Sequence, residues 1–377
     1  MNPSLNEAET ALRERVRVTA VPIAAAADGI DQGVATTADV VGMLAAGGVL
    51  GVCIPKAHGG YGGGTVELAL ACEEIGAASA SVGVVAVSHL VSGLLLDSLG
   101  SAAQKKEWLS GVATGTTLVA LAFDCGGSVL DAPSVGVSGT PEAEGFRLDG
   151  TARAVAGSTL ADLLIVPVEV ESVVMLAVIE VDTDGISVGQ EVRNLGLNGA
   201  GLAPVEFCGV EVPAASMLSG ANVYTALTMA GDLARIGHAA LTVGIGRAAL
   251  EGCLGYVSGR KDALGREQSV QWMLADMATE TEAARLLTWY AASRTNLEEM
   301  RETAPMARLL AADTAVRTSR RAVQVFGVIG IERRVGIERL YRDAKAMEIY
   351  HGAIEVQRLA VAGELLPGLV SARNGVR

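Results

Sequence analysis

The sequence predicts an α+β fold that is mostly α-helical, with a helical segment, a β segment and a second helical segment in chain order. Apolar residues recur at helical spacing in the first and last parts, and short β-branched runs separated by Gly, Asp and Pro fill the middle part. We place the domain boundaries at residues 1–119, 120–219 and 220–377. The 377 residues are 50% hydrophobic, which is ample for a large buried core.

The first segment is predicted to consist of helices interrupted by one glycine-rich turn. Leu12 and Val16 begin an amphipathic run, and further helices are expected over about 65–75 and near 102–110. Residues 59–64 read Gly-Gly-Tyr-Gly-Gly-Gly, which predicts a turn with positive φ angles. No lysine follows this cluster, so it does not predict a phosphate-binding loop.

Strands and then long helices are predicted for the rest of the chain. The β-branched runs lie at 146–148, 163–166, 173–179 and 204–207. In the last segment, 270–296 and 306–326 lack glycine and proline and carry charge on one side, which predicts two bundle helices. Pro305 is expected in the first turn of the second helix. We also expect Arg342 and Asp343 to form an ion pair in the bundle.

Composition argues against several classes of partner. A net charge of −13 disfavours nucleic acid and anionic membranes, whose phosphates would repel the chain. The apolar stretches at 40–55 and 82–96 are broken by Gly, Ser or His, so we expect core elements and no membrane span. The five scattered cysteines contain no C-x-x-C pair, which predicts no zinc site and suits a reducing cytoplasm. The acidic, polar first residues do not resemble a signal peptide, so a cytoplasmic location is expected.

Several segments together resemble the acyl-CoA dehydrogenase family over nearly the whole chain. They include Gly-Gly-Tyr-Gly at 59–62, Glu-Glu at 73–74, Leu-Ala-Asp-Met at 274–277, Gln-Val-Phe-Gly at 324–327 and Leu-Tyr-Arg-Asp-Ala at 340–344. The resemblance implies a helical N-terminal domain, a middle β-barrel and a C-terminal four-helix bundle. It also implies a homodimer or homotetramer with a non-covalent FAD at the subunit interface. In that family a glutamate removes the α-proton of an acyl thioester while a hydride leaves Cβ for the flavin.

His351 stands where the family signature has its catalytic glutamate. The segment 349–358 reads Ile-Tyr-His-Gly-Ala-Ile-Glu-Val-Gln-Arg, and the alternative glutamate position on an earlier helix is Ala234 here. An imidazole with a pKa of about 6.5 suits proton transfer near neutrality, so His351 is a candidate catalytic acid or base. The open alternative is a polar residue left in a lineage that lost catalysis. His238 is a second catalytic candidate, with a satisfied core histidine as its alternative.

The resemblance also identifies candidate substrate residues and FAD residues. Asp232 and Arg235 match a D-x-x-R that positions acyl-CoA, and Tyr350 adjoins the changed base. The surviving FAD-contact candidates are Arg260, Gln324, Gly327, Gly330 and Ser128. Other flavin-contact positions of the family are replaced, and these are Ala154, Ala156, Val328, Ala353 and the shortened loop at 123–128. Two outcomes stay open, weakened FAD binding and no cofactor.

Three functions follow from this pattern. The favoured prediction is a redox-neutral enzyme that cyclises or isomerises a polyketide-like or acyl-thioester chain, with His351 as acid or base. The second is an FAD-dependent acyl-CoA or acyl-carrier-protein dehydrogenase, or a flavin monooxygenase. The third is a non-catalytic subunit of a heteromeric acyl-CoA dehydrogenase. The expected partner is a small-molecule or carrier-bound acyl or polyketide substrate, except in the third alternative, where it is an intact paralogous chain. Fold alone cannot choose among the three.

Overall fold

The computed structural model describes residues 5–123, 135–218, 223–260 and 264–366. Helices, then strands, then helices follow one another, so the predicted mostly helical α+β fold is confirmed. The first helices are α1 (Glu7–Gln32), α2 (Thr37–Ala46), α3 (Thr65–Ala78), α4 (Ala80–Leu99) and α5 (Ala102–Thr114). The last helices are α6 (Val223–Ser258), α7 (Gln268–Ala292), α8 (Leu297–Phe326), α9 (Ile337–Met347) and α10 (Ile354–Leu365).

Local sequence explains where the first helices begin and end. Asn6 caps α1: its side chain accepts from the Glu9 amide at 2.9 Å, and the Glu9 carboxylate accepts from the Asn6 amide at 2.8 Å. The helix ends at Gly33, whose φ of 74° suits a residue without Cβ. Gly59 and Gly62 also have positive φ angles, as the predicted turn requires.

Helix α4 is long and apolar enough to cross a bilayer, yet 83% of its apolar window is buried inside the fold. Most of its apolar residues, from Val82 to Leu99, belong to the main hydrophobic core together with residues of α1, α3 and α6. A helix that is apolar on all sides and surrounded by protein is a core helix.

Within the described residues, the middle segment forms one seven-stranded mixed sheet. Its strands are β1 (Val119–Leu121), β2 (Val137–Pro141), β3 (Gly145–Val155), β4 (Leu163–Val170), β5 (Val173–Glu180), β6 (Ile186–Val188) and β7 (Ala203–Pro213). The central strand β4 pairs antiparallel with β5 along its whole length and parallel with β1 and β2 on its other side. From β2 the sheet continues through β3 and β7 to β6. Strand β4 is almost continuously buried, as expected for a strand covered on both faces.

The helical bundle corrects one predicted boundary. Helix α8 begins at Leu297 with Asn296 as its N-cap, so Pro305 lies in the helix interior and not in its first turn. Buried residues on both sides of the proline, including Met300, Ala304 and Ala307, pack into the core. Tertiary packing of this stripe outweighs the loss of one backbone hydrogen bond at the proline.

Two ion-pair networks attach the N-terminal helices to the bundle. Glu74 on α3 binds Arg13 and Arg247 at 2.6 Å each, and the neighbouring Glu73 binds Arg285 at 3.0 Å. The predicted pairing of Arg342 with Asp343 is replaced by longer-range contacts. Arg342 binds Asp31 of α1 at 2.6 Å. Asp343 accepts from the backbone amide of Leu197 at 2.8 Å and pairs with Arg339.

Candidate active site at His351

His351 lies in a tight turn between α9 and α10. Its φ is 56°, a left-handed conformation that non-glycine residues seldom adopt, and Gly352 follows with a φ of 93°. The imidazole is half-buried. Strained backbone at a candidate catalytic residue persists only where neighbouring groups fix the conformation, so the contacts that hold this turn matter.

Two side chains hold the turn from different helices. Arg308 of α8 is fully buried, and its Nη2 donates to the carbonyl of Tyr350 at 3.0 Å and to the carbonyl of Met347. Gln357 of α10 donates from Nε2 to the carbonyl of Gly352 at 3.2 Å. The turn that presents His351 is therefore fixed on both sides of the histidine.

His238 of α6 lies against His351. The two ring centroids are 4.6 Å apart with a tilt of 31°, and the Tyr350 ring meets His238 edge-on at 5.6 Å. The structure thus brings together both predicted catalytic candidates and one predicted substrate residue. His238 Nδ1 lies 2.7 Å from the carbonyl of Ala234, which can only accept, so Nδ1 carries the proton.

Both imidazoles are held in the neutral form. Burial, and then the charges of Arg235 and Arg308, lower the pKa of His351 to about 4. Burial, and then His351 and Arg308, lower the pKa of His238 well below its usual value. A neutral imidazole near pH 7 has a lone pair available for a proton, and the same burial and charges make it a weaker base than a free imidazole.

Asp232 and Arg235 form a supporting pair beside this turn. Arg235 Nη1 donates to Asp232 Oδ1 at 2.6 Å, and Arg235 Nε donates to Gln357 Oε1 at 3.1 Å. Burial raises the pKa of Asp232, although Arg235 opposes that effect. A chain of contacts therefore runs from Asp232 through Arg235 and Gln357 to Gly352. Asp232 and Arg235 thus support the His351 turn indirectly, through Gln357.

Several buried polar atoms around His351 have no hydrogen-bond partner among the described residues. They are Oδ2 of Asp232, Nε2 of His238, and Nε and Nη1 of Arg308. Buried polar groups in proteins are nearly always hydrogen-bonded, so a concentration of unpaired ones beside a candidate base is characteristic of a ligand site. Sequence reasoning missed Arg308, although a charged residue among the buried alanines of α8 was an available signal.

The FAD-side candidates gather at the C-terminal ends of α6 and α8. Tyr256 and Phe326 stack there with centroids 4.2 Å apart, and the guanidinium of Arg260 lies 5.0 Å from the Tyr256 ring. Gln324 is exposed in the last turn of α8. Gly327 follows with a φ of 65°, and a Cβ there would meet nothing within 4 Å. An open glycine backbone beside an arginine fits a diphosphate group.

Gly330 is explained by packing. A Cβ at this position would lie 2.7 Å from the carbonyl oxygen of Val323. On the flavin-ring side, Ala156 is buried just beyond the end of β3, and Ala154 is half-buried within that strand. Ser128 lies outside the described residues. The residues present thus fit the diphosphate end of FAD, and neither alanine supplies a hydroxyl or a ring to the flavin.

No group of three or more His, Cys, Asp or Glu side chains able to hold a metal ion occurs in the described part of the chain. The candidate site is therefore composed of imidazole, guanidinium, carboxylate and phenol groups. The groups nearest to His351 are the cationic Arg235 and Arg308 and the neutral His238.

Comparison with known proteins agrees with this architecture. Sequence profiles of the acyl-CoA dehydrogenase N-terminal domain and C-terminal domain match residues 6–116 and 224–366. A probable acyl-CoA dehydrogenase of Bacillus subtilis, YngJ, is 31% identical, with 97% of this chain and 100% of that protein covered. The human mitochondrial short-chain specific acyl-CoA dehydrogenase is 31% identical over 85% of this chain and 80% of its own length.

Solved structures give the same result. Butyryl-CoA dehydrogenase from Megasphaera elsdenii superimposes with a TM-score of 0.90 at 26% identity, covering 97% of this chain and all of the other. FkbI, described for biosynthesis of a methoxymalonyl extender unit, gives a TM-score of 0.84 at 26% identity, covering 94% of this chain and 99% of the other. The fold and the site thus define an acyl-CoA dehydrogenase-type protein. The chain belongs to the acyl-CoA dehydrogenase family.

Proposed function

We propose that this chain is an enzyme that binds an acyl thioester at His351 and that His351 accepts the α-proton of that substrate. The observation that carries the proposal is the environment of His351. A neutral imidazole occupies the family's base position, beside the neutral His238 and among buried polar atoms without partners. The Arg308 and Gln357 contacts supply the fixed geometry that general-base catalysis needs.

The chemistry follows from the electron pair left on the α-carbon. When His351 takes the proton, the C–H electrons become an enolate that extends onto the thioester carbonyl oxygen. FAD, when bound, supplies an acceptor for the hydride that leaves Cβ, which completes an oxidation to an enoyl thioester. Arg260, Gln324 and Gly327 would hold its diphosphate end. We favour this oxidoreductase function because the relatives named above are acyl-CoA dehydrogenases.

A second candidate function is redox-neutral. Alanines at 154, 156 and 353 remove a ring and hydroxyl groups at positions where the family contacts its flavin. Without a hydride acceptor, an enolate conjugated to a double bond of the acyl chain would take a proton at its γ-carbon, and an enolate facing an electrophilic carbon of its own chain would attack that carbon. The products would be an isomer or a ring. The third alternative, a silent subunit of a heteromer, predicts no α-proton chemistry at all.

Deuterium uptake at the α-carbon tests the proposal directly. The purified protein would be incubated in D₂O with butyryl-CoA and decanoyl-CoA, with and without added FAD. Mass spectrometry would follow the α-carbon, and absorbance near 450 nm would follow flavin reduction. We expect uptake in the wild type and a loss of about 10²–10⁴-fold in His351→Ala. His58→Ala, just before the glycine-rich turn of the N-terminal segment, is the matched control and should retain the wild-type rate.

The outcomes separate the candidates. Uptake with flavin bleaching supports the dehydrogenase, and uptake without bleaching supports the redox-neutral enzyme. No uptake with either thioester contradicts the assignment of His351 as base and favours the silent subunit.

We also propose a homo-oligomer in a reducing compartment. Val328 and Ile331, beside the FAD-side cluster, are 78% and 68% exposed, and Trp272 on α7 is 62% exposed. Large apolar side chains at these positions suit burial against a second copy. The described cysteines 53, 72, 208 and 253 are free thiols, which suits the cytoplasm. Light scattering in solution would measure the assembly.

A further inference from the structure

His238 has a defined tautomer with one unsatisfied nitrogen. Its Nδ1 donates to the Ala234 carbonyl at 2.7 Å. In the neutral ring, Nε2 is then an acceptor only. The residue is 3% exposed, and no donor of the described residues reaches Nε2. A buried acceptor of this kind requires an O–H or N–H donor from a bound molecule.

Arg308 has the opposite requirement. It is fully buried, its Nη2 donates to backbone carbonyls, and its Nε and Nη1 have no acceptor among the described residues. The nearby Glu348 is paired with Lys345. Burial lowers the pKa of Arg308 to about 10, which is still far above neutrality, so the guanidinium remains charged. It needs oxygen acceptors.

The two requirements occur in one place. The rings of His238 and His351 are 4.6 Å apart. Arg308 Nη2 is 3.0 Å from the carbonyl of the residue before His351. The charge of Arg308 is also close enough to lower the pKa of both imidazoles. A bound group that reaches both His238 and Arg308 would meet one acceptor and two donors without partners among the described residues.

We propose that the site selects an acyl thioester bearing a hydroxyl group within a few carbons of the α-carbon, with the hydroxyl donating to His238 Nε2 and accepting from Arg308. This inference rests on the acyl-thioester function proposed above. A hydroxyl supplies one donor and two acceptor lone pairs, which matches both residues. A hydrocarbon chain would leave them unpaired. A carboxylate would satisfy Arg308 but place a negative oxygen against the lone pair of His238.

Binding measurements on matched thioesters test the proposal without relying on turnover. Isothermal titration would compare butyryl-CoA, 3-hydroxybutyryl-CoA and 4-hydroxybutyryl-CoA on the full chain. We expect at least one hydroxyacyl thioester to bind about tenfold or more tightly than butyryl-CoA. His238→Phe keeps an aromatic ring and removes the acceptor. In this variant, butyryl-CoA and the hydroxyacyl thioesters should bind with about equal affinity. His58→Phe is the control and should leave the preference unchanged.

Each result decides a separate point. Equal binding of all three thioesters overturns hydroxyl selection, with an ordered water then satisfying His238 and Arg308, and leaves the acyl-thioester function standing. A preference that survives in His238→Phe also overturns it. Binding of none of the three contradicts the proposed function as well. If His238→Phe fails a circular-dichroism test of folding, Arg308→Lys is the second variant. Its single ammonium donates in fewer directions, so a reduced preference is expected and an unchanged one counts against the proposal.

Discussion

Two buried histidines, His89 and His238, show what distinguishes a structural polar residue from a functional one in this chain. His89 on α4 is 1% exposed, its Nε2 donates to the Val112 carbonyl at 3.1 Å, and its Nδ1 accepts from the Val119 amide at 3.2 Å. Both nitrogens are satisfied, and the ring joins α4 to α5 and β1. His238 is equally buried but has one nitrogen satisfied and one bare.

The same contrast separates two buried arginines. The charge of Arg247 is paired with Glu74 at 2.6 Å and with Glu73 at 3.4 Å, although its Nε makes no aligned hydrogen bond, whereas Arg308 binds only backbone carbonyls among the described residues. The pKa of His89 is lowered to about 4 by burial, and the same holds for His351. Burial and a lowered pKa therefore do not identify the site. The histidines differ in whether both ring nitrogens have protein partners, and the arginines differ in whether the guanidinium charge is paired with a carboxylate.

The largest expected effect is at the buried ion-pair network of Glu73 and Glu74. Glu74→Ala leaves Arg13, Arg17 and Arg247 without their shared carboxylate, and we expect the free energy of unfolding to fall by about 3–5 kcal/mol in urea denaturation. Burial raises the pKa of Glu74, but the arginines outweigh it and lower that pKa below 4.5. Its stabilising contribution is thus present above pH 4.5 and declines as the pH falls.

The matched control for this network is Glu282→Ala. Glu282 also pairs with a network arginine, Arg285, but its side chain is 53% exposed. A cost below about 1 kcal/mol is expected for an exposed pair. Equal costs for the two variants would contradict the distinction between completed buried contacts and surface contacts.

The next effect compares the two histidines by the same substitution. His89→Phe leaves the Val112 carbonyl and the Val119 amide buried without partners, so a loss of about 2–4 kcal/mol in unfolding free energy is expected. His238→Phe removes only a second donor from a carbonyl inside helix α6, and we expect a loss of about 1 kcal/mol or less. A larger loss at His238 than at His89 would show that His238 is the structural residue.

The smallest expected effect is a change in titration at the turn. NMR of the imidazole C–H signals should give His351 a pKa of about 4 in the wild type. Arg308→Met removes one of the charges that lower it, so the pKa should rise toward 6.5, and Arg308→Lys should raise it less. Because the folded state favours neutral His351, the free energy of unfolding is highest above pH 6.5. It declines as the pH falls toward 4, where the unfolded chain binds a proton more readily than the folded chain. Arg308→Met should weaken that dependence.

The charge control for the titration is Arg334→Met, which removes an exposed guanidinium paired with Glu332. We expect it to leave the His351 titration unchanged. If Arg334→Met and Arg308→Met shift the His351 pKa equally, net charge and not the local contact is responsible.

Most of the fold could be predicted from sequence because helices and strands differ in apolar period. Family motifs spread along the chain also fix the order of the elements. Pro305 and Arg342 show where this reasoning ends. A proline inside α8 and an arginine that reaches Asp31 of α1 depend on tertiary packing, which the local pattern of residues does not encode.

The candidate site could be predicted only in part. His351 was identifiable because a motif gave it a position, and His238 because it follows Arg235 on one helix. The supports of the turn were not identifiable in the same way. Gln357 has an ordinary place within a helix, and its contact with Arg235 of α6 exists only once α10 packs against α8.

The left-handed backbone at His351 has an evolutionary consequence. Glycine would adopt a φ of 56° without strain, so a lineage selected only for robustness would be expected to replace the histidine. If the histidine is retained among relatives, its side chain must contribute something that offsets the backbone strain at this position. Because of this strain, the residue type at this position should differ between relatives that retain the chemistry and relatives that have lost it. Relatives that have abandoned chemistry should drift toward glycine or asparagine here, and those that retain it should keep a side chain able to carry a proton.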